Sequence, residues 1–267
     1  MDIISGTILG VVQGLTEFLP ISSSGHLILA REVLGISGEH GLSVDAVLQL
    51  ATVLAIGIYF WRDLVRLAVT TAKLVVRKPV EARDRTMVLA IVIGTIPAAL
   101  LGFLLEDFME TVFRSPLLVV GTLVAGSVLM WGAEAVAKQG SSLTWKKGLI
   151  VGLFQSLALM PGMSRSGSTI SGGLIVGLKR EDAARFSFLL AFPIIAGSGV
   201  LKLSELISEG AMAELGGGLV AGFIAAFLVG MAAIHFLLKF LRKHTLAVFV
   251  WYRIVLACVV AVALIAT

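Results

Sequence analysis

Gln13-Gly14-Leu15-Thr16-Glu17-Phe18-Leu19-Pro20-Ile21-Ser22-Ser23-Ser24-Gly25-His26 is the stretch on which the reading of this chain turns. It sets two long polar side chains, three consecutive hydroxyls and a histidine among apolar neighbours. Gln13 and Glu17, four apart, share one face of a helix. Pro20 cannot continue a helix interior, and it biases Leu19 out of the α region. Ser22, Ser23 and Ser24 are good N-cap residues. The pattern predicts a half-helix, a break, and a second half-helix whose free N–H groups suit an anion.

A second copy lies 142 positions downstream. Gly152-Leu153-Phe154-Gln155-Ser156-Leu157 falls over Gly10-Val11-Val12-Gln13-Gly14-Leu15. Met163-Ser164-Arg165-Ser166-Gly167 falls over Ile21-Ser22-Ser23-Ser24-Gly25, and Pro161 marks the second break. The copies differ in charge. The first carries Glu17 and His26, whereas the second has Leu159 and Ser168 there and supplies Arg165.

Composition places both copies in a membrane. Of 267 residues, 58% are hydrophobic and 14% charged, and the mean hydropathy is +1.01. A soluble domain has about 25% charged residues. The single cysteine, Cys258, excludes a disulfide framework and a cysteine-based metal site. The net charge of +4 is read as membrane topology, not as nucleic-acid binding. Asp2 stands where a signal peptide would have a basic segment, so no cleaved leader is expected.

Six runs meet the rule of roughly 20 apolar residues per crossing, near 44–61, 86–105, 116–136, 183–202, 217–238 and 246–266. The regions 3–30 and 146–178 are interrupted by the polar stretches, and each half is too short to span. They are expected to be re-entrant hairpins, tolerated at depth only inside protein or along a cavity. The segment 62–85 is expected to be cytoplasmic and partly helical, and Gly216-Gly217-Gly218 a loop. Sixteen of the 21 basic residues fall between the first and second, third and fourth, or fifth and sixth spans. The opposite side holds Arg31, Arg114 and Lys202, with Glu32, Glu39, Glu106, Asp107, Glu110, Glu205, Glu209 and Glu214. The positive-inside rule then puts both termini outside. One hairpin plus three spans per copy makes the second copy upside down relative to the first. The expected fold is one all-α integral membrane domain over 1–267, with inverted repeats at about 1–137 and 138–267. The hairpin tips should meet near the midplane, bringing Glu17, His26 and Arg165 to one buried polar site.

Ionisable groups at that depth are costly and point to function. A structural Glu17–Arg165 pair is the plainer alternative, although apolar packing could replace such a pair. Glu17 with Gln13 offers oxygen ligands to a divalent cation, or Glu17 serves as a base. His26 follows Ser22 by four residues and Ser23 by three. A serine nucleophile needs a base within reach, which His26 or Glu17 would supply. In the second loop, glycine lets backbone approach a ligand, hydroxyls donate, and the Arg165 guanidinium grips phosphate bidentately. Glu134 and Arg253 are read as snorkelling or structural. Trp61, Trp131, Trp145 and Trp251 are read as interface anchors.

At these residues the chain resembles the membrane-embedded undecaprenyl-diphosphate phosphatases, also known for bacitracin resistance. Residues 13–26 match that family's (Glu/Gln)-x-x-x-Glu-Phe-Leu-Pro-(Ile/Val)-Ser-Ser-(Ser/Thr)-Gly-His pattern, and 161–169 its Pro-Gly-x-Ser-Arg-Ser-Gly-x-Thr pattern. The likeness runs on through Phe186-Ser187-Phe188-Leu189-Leu190. Gln13 stands where many members have glutamate, so a carboxylate pair for a metal is absent and Glu17 must carry more of that role. The resemblance implies hydrolysis of a C55 polyprenyl diphosphate to its monophosphate and phosphate in the inner membrane. That reaction recycles the carrier lipid for cell-wall polymers, with the site open to the outer face. Catalytic roles then fall to Glu17, Ser23, His26 and Arg165. Gln13, Ser22, Ser24, Ser164, Ser166 and Thr169 would bind substrate, and Glu17 with Gln13 a divalent cation, Mg2+ or Ca2+. Ser23 is the expected nucleophile, with His26 or water as alternatives. Partners are the lipid, the membrane and a second copy of the chain as a homodimer. A polyprenyl-phosphate flippase or transporter is the other class compatible with broken helices meeting at the midplane. A different lipid phosphate phosphatase type shares Ser-Gly-His, but its Arg-Pro motif and second histidine beside arginine and serine are missing here.

Overall fold

Asp2 opens the fold: its Oδ1 accepts the Ser5 amide at 2.9 Å and caps α1, Ile3–Phe18. The computed structural model describes residues 1–35, 41–105, 116–208 and 212–266. Among them there is no strand. After α1 come α2 (Ser23–Leu34), α3 (Gly41–Tyr59), α4 (Trp61–Val75), α5 (Ala82–Leu104) and α6 (Pro116–Val136). Then follow α7 (Trp145–Ser156), α8 (Arg165–Ile175), α9 (Arg180–Ser208), α10 (Met212–Leu241) and α11 (Ala247–Ala266).

Among the described residues, five helices are long and apolar enough to cross a membrane: Ala82–Leu104, Leu117–Val136, Arg180–Leu201, Gly216–Leu241 and Ala247–Leu264. The span expected at 44–61 differs. Its helix ends at Tyr59 and turns through 81° into α4, and the two pass the same test only as a pair. The segment after it is helical as expected, and Gly216 breaks α10 at φ 56°. Of the charged residues assigned to the outer side, Glu39, Glu106, Asp107, Glu110, Glu209 and Arg114 lie outside the described residues.

The two interrupted regions break alike. α1 and α7 begin at Ile3 and Trp145, and α2 and α8 at Ser23 and Arg165; each pair is separated by the register seen in the sequence. Leu19 and Met160 are both extended. The residues that start the second half-helices, Ser22 and Ser164, have φ of 75° and 69°. Two serines held in the left-handed region mark a backbone over-determined by its surroundings.

Small residues set the packing. α1 lies against α10, and α7 against α5. A methyl group built on Gly6 or Gly10 would run into the Gly218 or Gly222 carbonyl. One on Gly148 would sit 2.6 Å from the Ala90 Cα, and one on Gly152 2.6 Å from the Gly94 Cα. Close backbone approach of this kind is how helices associate where lipid removes the hydrophobic drive. The largest buried cluster collects Phe18 from the first break, Phe60, Phe188 and Ile234. Phe18 meets Phe188 edge to face at 5.4 Å. Outside, Val92, Ile96, Leu100 and Phe103 of α5 are exposed, as a lipid-facing surface requires. Trp61, Trp131, Trp145 and Trp251 are exposed as well.

Candidate active site

Pro20 frees the end of α1, so Glu17 sits in the last turn with its carboxylate turned toward the second break. Glu17 Oε1 accepts from Arg165 Nη2 at 2.9 Å. Oε2 accepts from the Ser23 hydroxyl at 2.8 Å and from Gln13 Nε2 at 3.1 Å. The Glu17 carboxylate is thus nearly enclosed by one cation, one hydroxyl and one amide. Ser166 Oγ donates to the Leu19 carbonyl at 3.1 Å, a second tie between the breaks. Ser164 Oγ caps its own helix by accepting the Gly167 amide at 3.2 Å.

These groups open on a cavity of about 240 Å³. Glu17, Ser22, Ser23, Ser24, Ser164 and Arg165 line it, so both helix starts point at one space. Ala98, Leu159, Ile194 and Ile195 give it an apolar flank. Arg165 uses Nη2 on Glu17, while its Nε and Nη1 are buried with no hydrogen-bond partner. A guanidinium with two idle buried donors beside two helix N-termini is arranged for an anion such as phosphate.

The structure does not bring every expected residue to the cavity. The Thr169 hydroxyl donates to the Arg165 carbonyl at 2.7 Å and meets Ser187 Oγ at 2.5 Å. Gln13 stands one turn behind Glu17. His26 turns away: Nδ1 lies 2.7 Å from the Ser22 carbonyl and Nε2 2.7 Å from the Tyr252 hydroxyl. A carbonyl only accepts, so Nδ1 carries a proton; in the neutral ring Nε2 then accepts from Tyr252. The rings of His26 and Tyr252 lie nearly parallel, 5.6 Å apart. With both nitrogens engaged, His26 grips the carbonyl of the left-handed Ser22 instead of facing the cavity.

One residue of the cavity escaped the reading of the sequence. Gln155 lines the cavity, is 3% exposed, and has neither amide atom hydrogen-bonded. Its register with Gln13 was the available signal, since Leu159 replaces the carboxylate that Gln13 contacts. Of the two readings of Arg253, the structural one holds: it does not snorkel and is 0% exposed. Nη1 donates to the carbonyls of Met163 and Pro20 at 3.2 and 3.5 Å. Nη2 donates to those of Gly162, Leu123 and Thr122 at 2.9, 3.1 and 3.3 Å. Nε reaches Ser127 Oγ at 3.3 Å. One guanidinium therefore clamps both breaks to α6. Glu134 is structural too, accepting from Arg180 Nε and from the Leu246 amide at 3.0 and 2.9 Å.

Among the described residues, no three His, Cys, Asp or Glu side chains gather closely enough to hold a metal. What the site offers a cation is hard oxygen: the Glu17 carboxylate and Gln13 Oε1, which is buried and unpartnered. Of the two only Glu17 lines the cavity, its oxygens already accept from Arg165, Ser23 and Gln13, and Gln13 turns Nε2 rather than Oε1 toward it, so the pair makes no ready two-oxygen seat for a cation.

Comparison with known proteins gives a consistent picture. The family model described as "Bacitracin resistance protein BacA" matches residues 6–259. A Rubrobacter xylanophilus protein named undecaprenyl-diphosphatase is 43% identical over 98% of each chain. One of the same name from Mycolicibacterium smegmatis is 46% identical over 95% of this chain and 93% of its own. Another from Moorella thermoacetica is 41% identical over 97% of both.

Proposed function

The chain belongs to the bacitracin resistance protein BacA family, and from that premise we propose that it is a membrane phosphatase hydrolysing undecaprenyl diphosphate to the monophosphate and inorganic phosphate. The reaction returns the carrier lipid to cell-wall synthesis. The observation that carries the site assignment is the Ser23 hydroxyl held 2.8 Å from Glu17 beside the idle donors of Arg165.

In the proposed reaction the diphosphate lies with its polyprenyl tail along the apolar flank and its terminal phosphate between the helix starts. Arg165 Nε and Nη1 donate to phosphoryl oxygens while Nη2 keeps Glu17 in place. Ser23 Oγ attacks the terminal phosphorus and Glu17 takes its proton. The Oγ–P bond forms as the bond from phosphorus to the bridging oxygen breaks, and the electron pair leaves with the lipid monophosphate. Water then cleaves the phosphoserine to release phosphate. Phosphoryl transfer asks for little beyond such positioning and charge stabilisation. A divalent cation at Glu17 would need the Gln13 amide turned to present Oε1, and would supply neutralisation of diphosphate charge. His26 acts through Ser22, whose carbonyl it fixes.

The proposed architecture is six spans, α3 being the sixth and α4 turning away from it at the membrane surface, and two re-entrant hairpins in an inverted repeat. The equal spacing of the helix starts and the matched glycine contacts of α1 on α10 and α7 on α5 support it. The charge bias supports both termini outside and a site open to the outer face of the inner membrane.

The test is phosphate release from a polyprenyl diphosphate in detergent. Wild type should release phosphate and Arg165→Ala should not. His26→Ala should retain part of the activity, because it loosens Ser22 without removing a reacting group. Release unaffected by EDTA would remove the cation from this reading. No release by wild type, with lipid transport intact in vesicles, would favour the flippase.

A further inference from the structure

We propose that the opposite end of the molecule carries a binding site for the phosphate head group of an anionic phospholipid, formed by Arg62 and Arg66 of α4 and Arg185 of α9. The proposal is independent of the chemistry at the cavity. It begins with α4, which leaves α3 at 81° and therefore runs across the direction of the spans.

At helical spacing α4 divides into three stripes. Leu64 and Leu67 pack on the main core and Thr70 is buried. Trp61, Val65 and Val69 form an apolar stripe that is about half exposed, between 48% and 56%. Arg62, Arg66 and Lys73 lie between the two, and all are exposed. An exposed apolar stripe bordered by basic residues is the signature of a helix lying in the membrane interface. Apolar residues then enter the acyl region and arginines sit at head-group level.

The arginines do more than border the stripe. Between α4 and α9 is a cavity of about 500 Å³ lined by Tyr59, Trp61, Arg62, Asp63, Arg66 and Arg185, with Phe60. Arg185 donates to Asp63 at 2.6 Å and stands over the Phe60 ring at 5.6 Å, which fixes its guanidinium at the rim. Asp63 neutralises one of the three cations. Arg62 and Arg66 form no ion pair among the described residues. Two unpaired guanidiniums and a third held in place suit a phosphodiester, which arginine binds in bidentate fashion. The adjoining Trp61 and Val65 favour a ligand that brings its own acyl chains, and basic pockets beside spanning helices are known head-group sites.

The experiment is native mass spectrometry of the full-length protein titrated with phosphatidylglycerol or phosphatidylcholine. Wild type should retain phosphatidylglycerol in preference to phosphatidylcholine. The double variant R62Q/R66Q should bind phosphatidylglycerol about thirtyfold more weakly, the loss expected of two head-group cations. R77Q/K78Q removes equal charge just beyond α4 and should leave the preference intact. An unchanged R62Q/R66Q would overturn the site, as would equal weakening by both double variants, which would mean diffuse attraction. Displacement of the lipid by inorganic phosphate at equal concentration would overturn it too, in favour of a free-phosphate site.

Discussion

Arg253 offers the sharpest test of how the two breaks are held. Its guanidinium is fully buried, and the carbonyls of Pro20, Gly162 and Met163 that it serves lie in the break segments. Arg253→Leu would leave three buried carbonyls unpaired at about 1–3 kcal/mol each. The total, about 3–9 kcal/mol, rivals the usual stability of a folded protein, about 5–15 kcal/mol. Relief from burying a cation without a carboxylate offsets part of it. The leucine variant should therefore fold poorly, and Arg253→Lys is the more informative change. Lysine keeps the charge but has one compact donor group in place of a fork, and cannot reach both breaks and α6 together. Loss of one or two charged hydrogen bonds gives about 2–4 kcal/mol. By the usual scaling this lowers the melting temperature by about 4–16 °C. Thermal unfolding in detergent would measure it, alongside phosphate release well below the melting point. There kcat should fall more than KM rises, because the helix starts lose their alignment. An Arg253→Lys protein that melts with wild type and hydrolyses as fast would refute the clamp.

Other consequences are as direct. Gln155→Leu should lower kcat/KM about 10- to 100-fold, the worth of a hydrogen bond to a charged phosphate, and leave the melting point equal or higher because a buried unpaired amide is gone; lost stability would mark a structural role instead. Glu17→Gln should slow phosphate release about 10²- to 10⁴-fold by removing the base, measured at saturating substrate. Gly10→Ala should destabilise the protein by about 1–3 kcal/mol in a thermal melt, because its methyl meets the Gly222 backbone. Gly121→Ala, with nothing within 4 Å, should be neutral or stabilising.

The sequence was most legible where chemistry and backbone geometry coincide. Pro20 and Pro161 located the breaks, and the serines that follow do start helices, although Ser22 makes no side-chain cap and instead takes a left-handed backbone. The meeting of Glu17 with Arg165 could be anticipated because a charge at membrane depth needs a partner. The turn at Tyr59 could not, since an apolar run states how much chain avoids water and not where it bends. Nor could the work of Arg253 be read. Its partners are carbonyl oxygens, which every residue has, so the contacts leave no mark in residue type. The placement of the His26 ring could not be read for a related reason. Spacing put its ring on the side of Ser23, whereas the backbone carbonyl of Ser22 was the nearer acceptor.

These residues together make a site that is electrostatically incomplete. Glu17 is the carboxylate among the described residues lining the cavity, and it balances Arg165. Arg253, behind the breaks, has carbonyl dipoles in place of a counter-charge among its hydrogen bonds. The starts of α2 and α8 add partial positive charge at the same place. The excess favours an anion, and binding to the folded state alone must stabilise it by RT ln(1 + [L]/Kd). Inorganic phosphate, the expected product, should therefore raise the melting temperature, by about 2.7 kcal/mol of added stability at a hundred times its Kd. Chloride at equal ionic strength should not, and Arg165→Gln should abolish the effect. A wild-type melting point indifferent to phosphate would mean that the idle donors of Arg165 face some other group, and the diphosphate would lose its place between the helices.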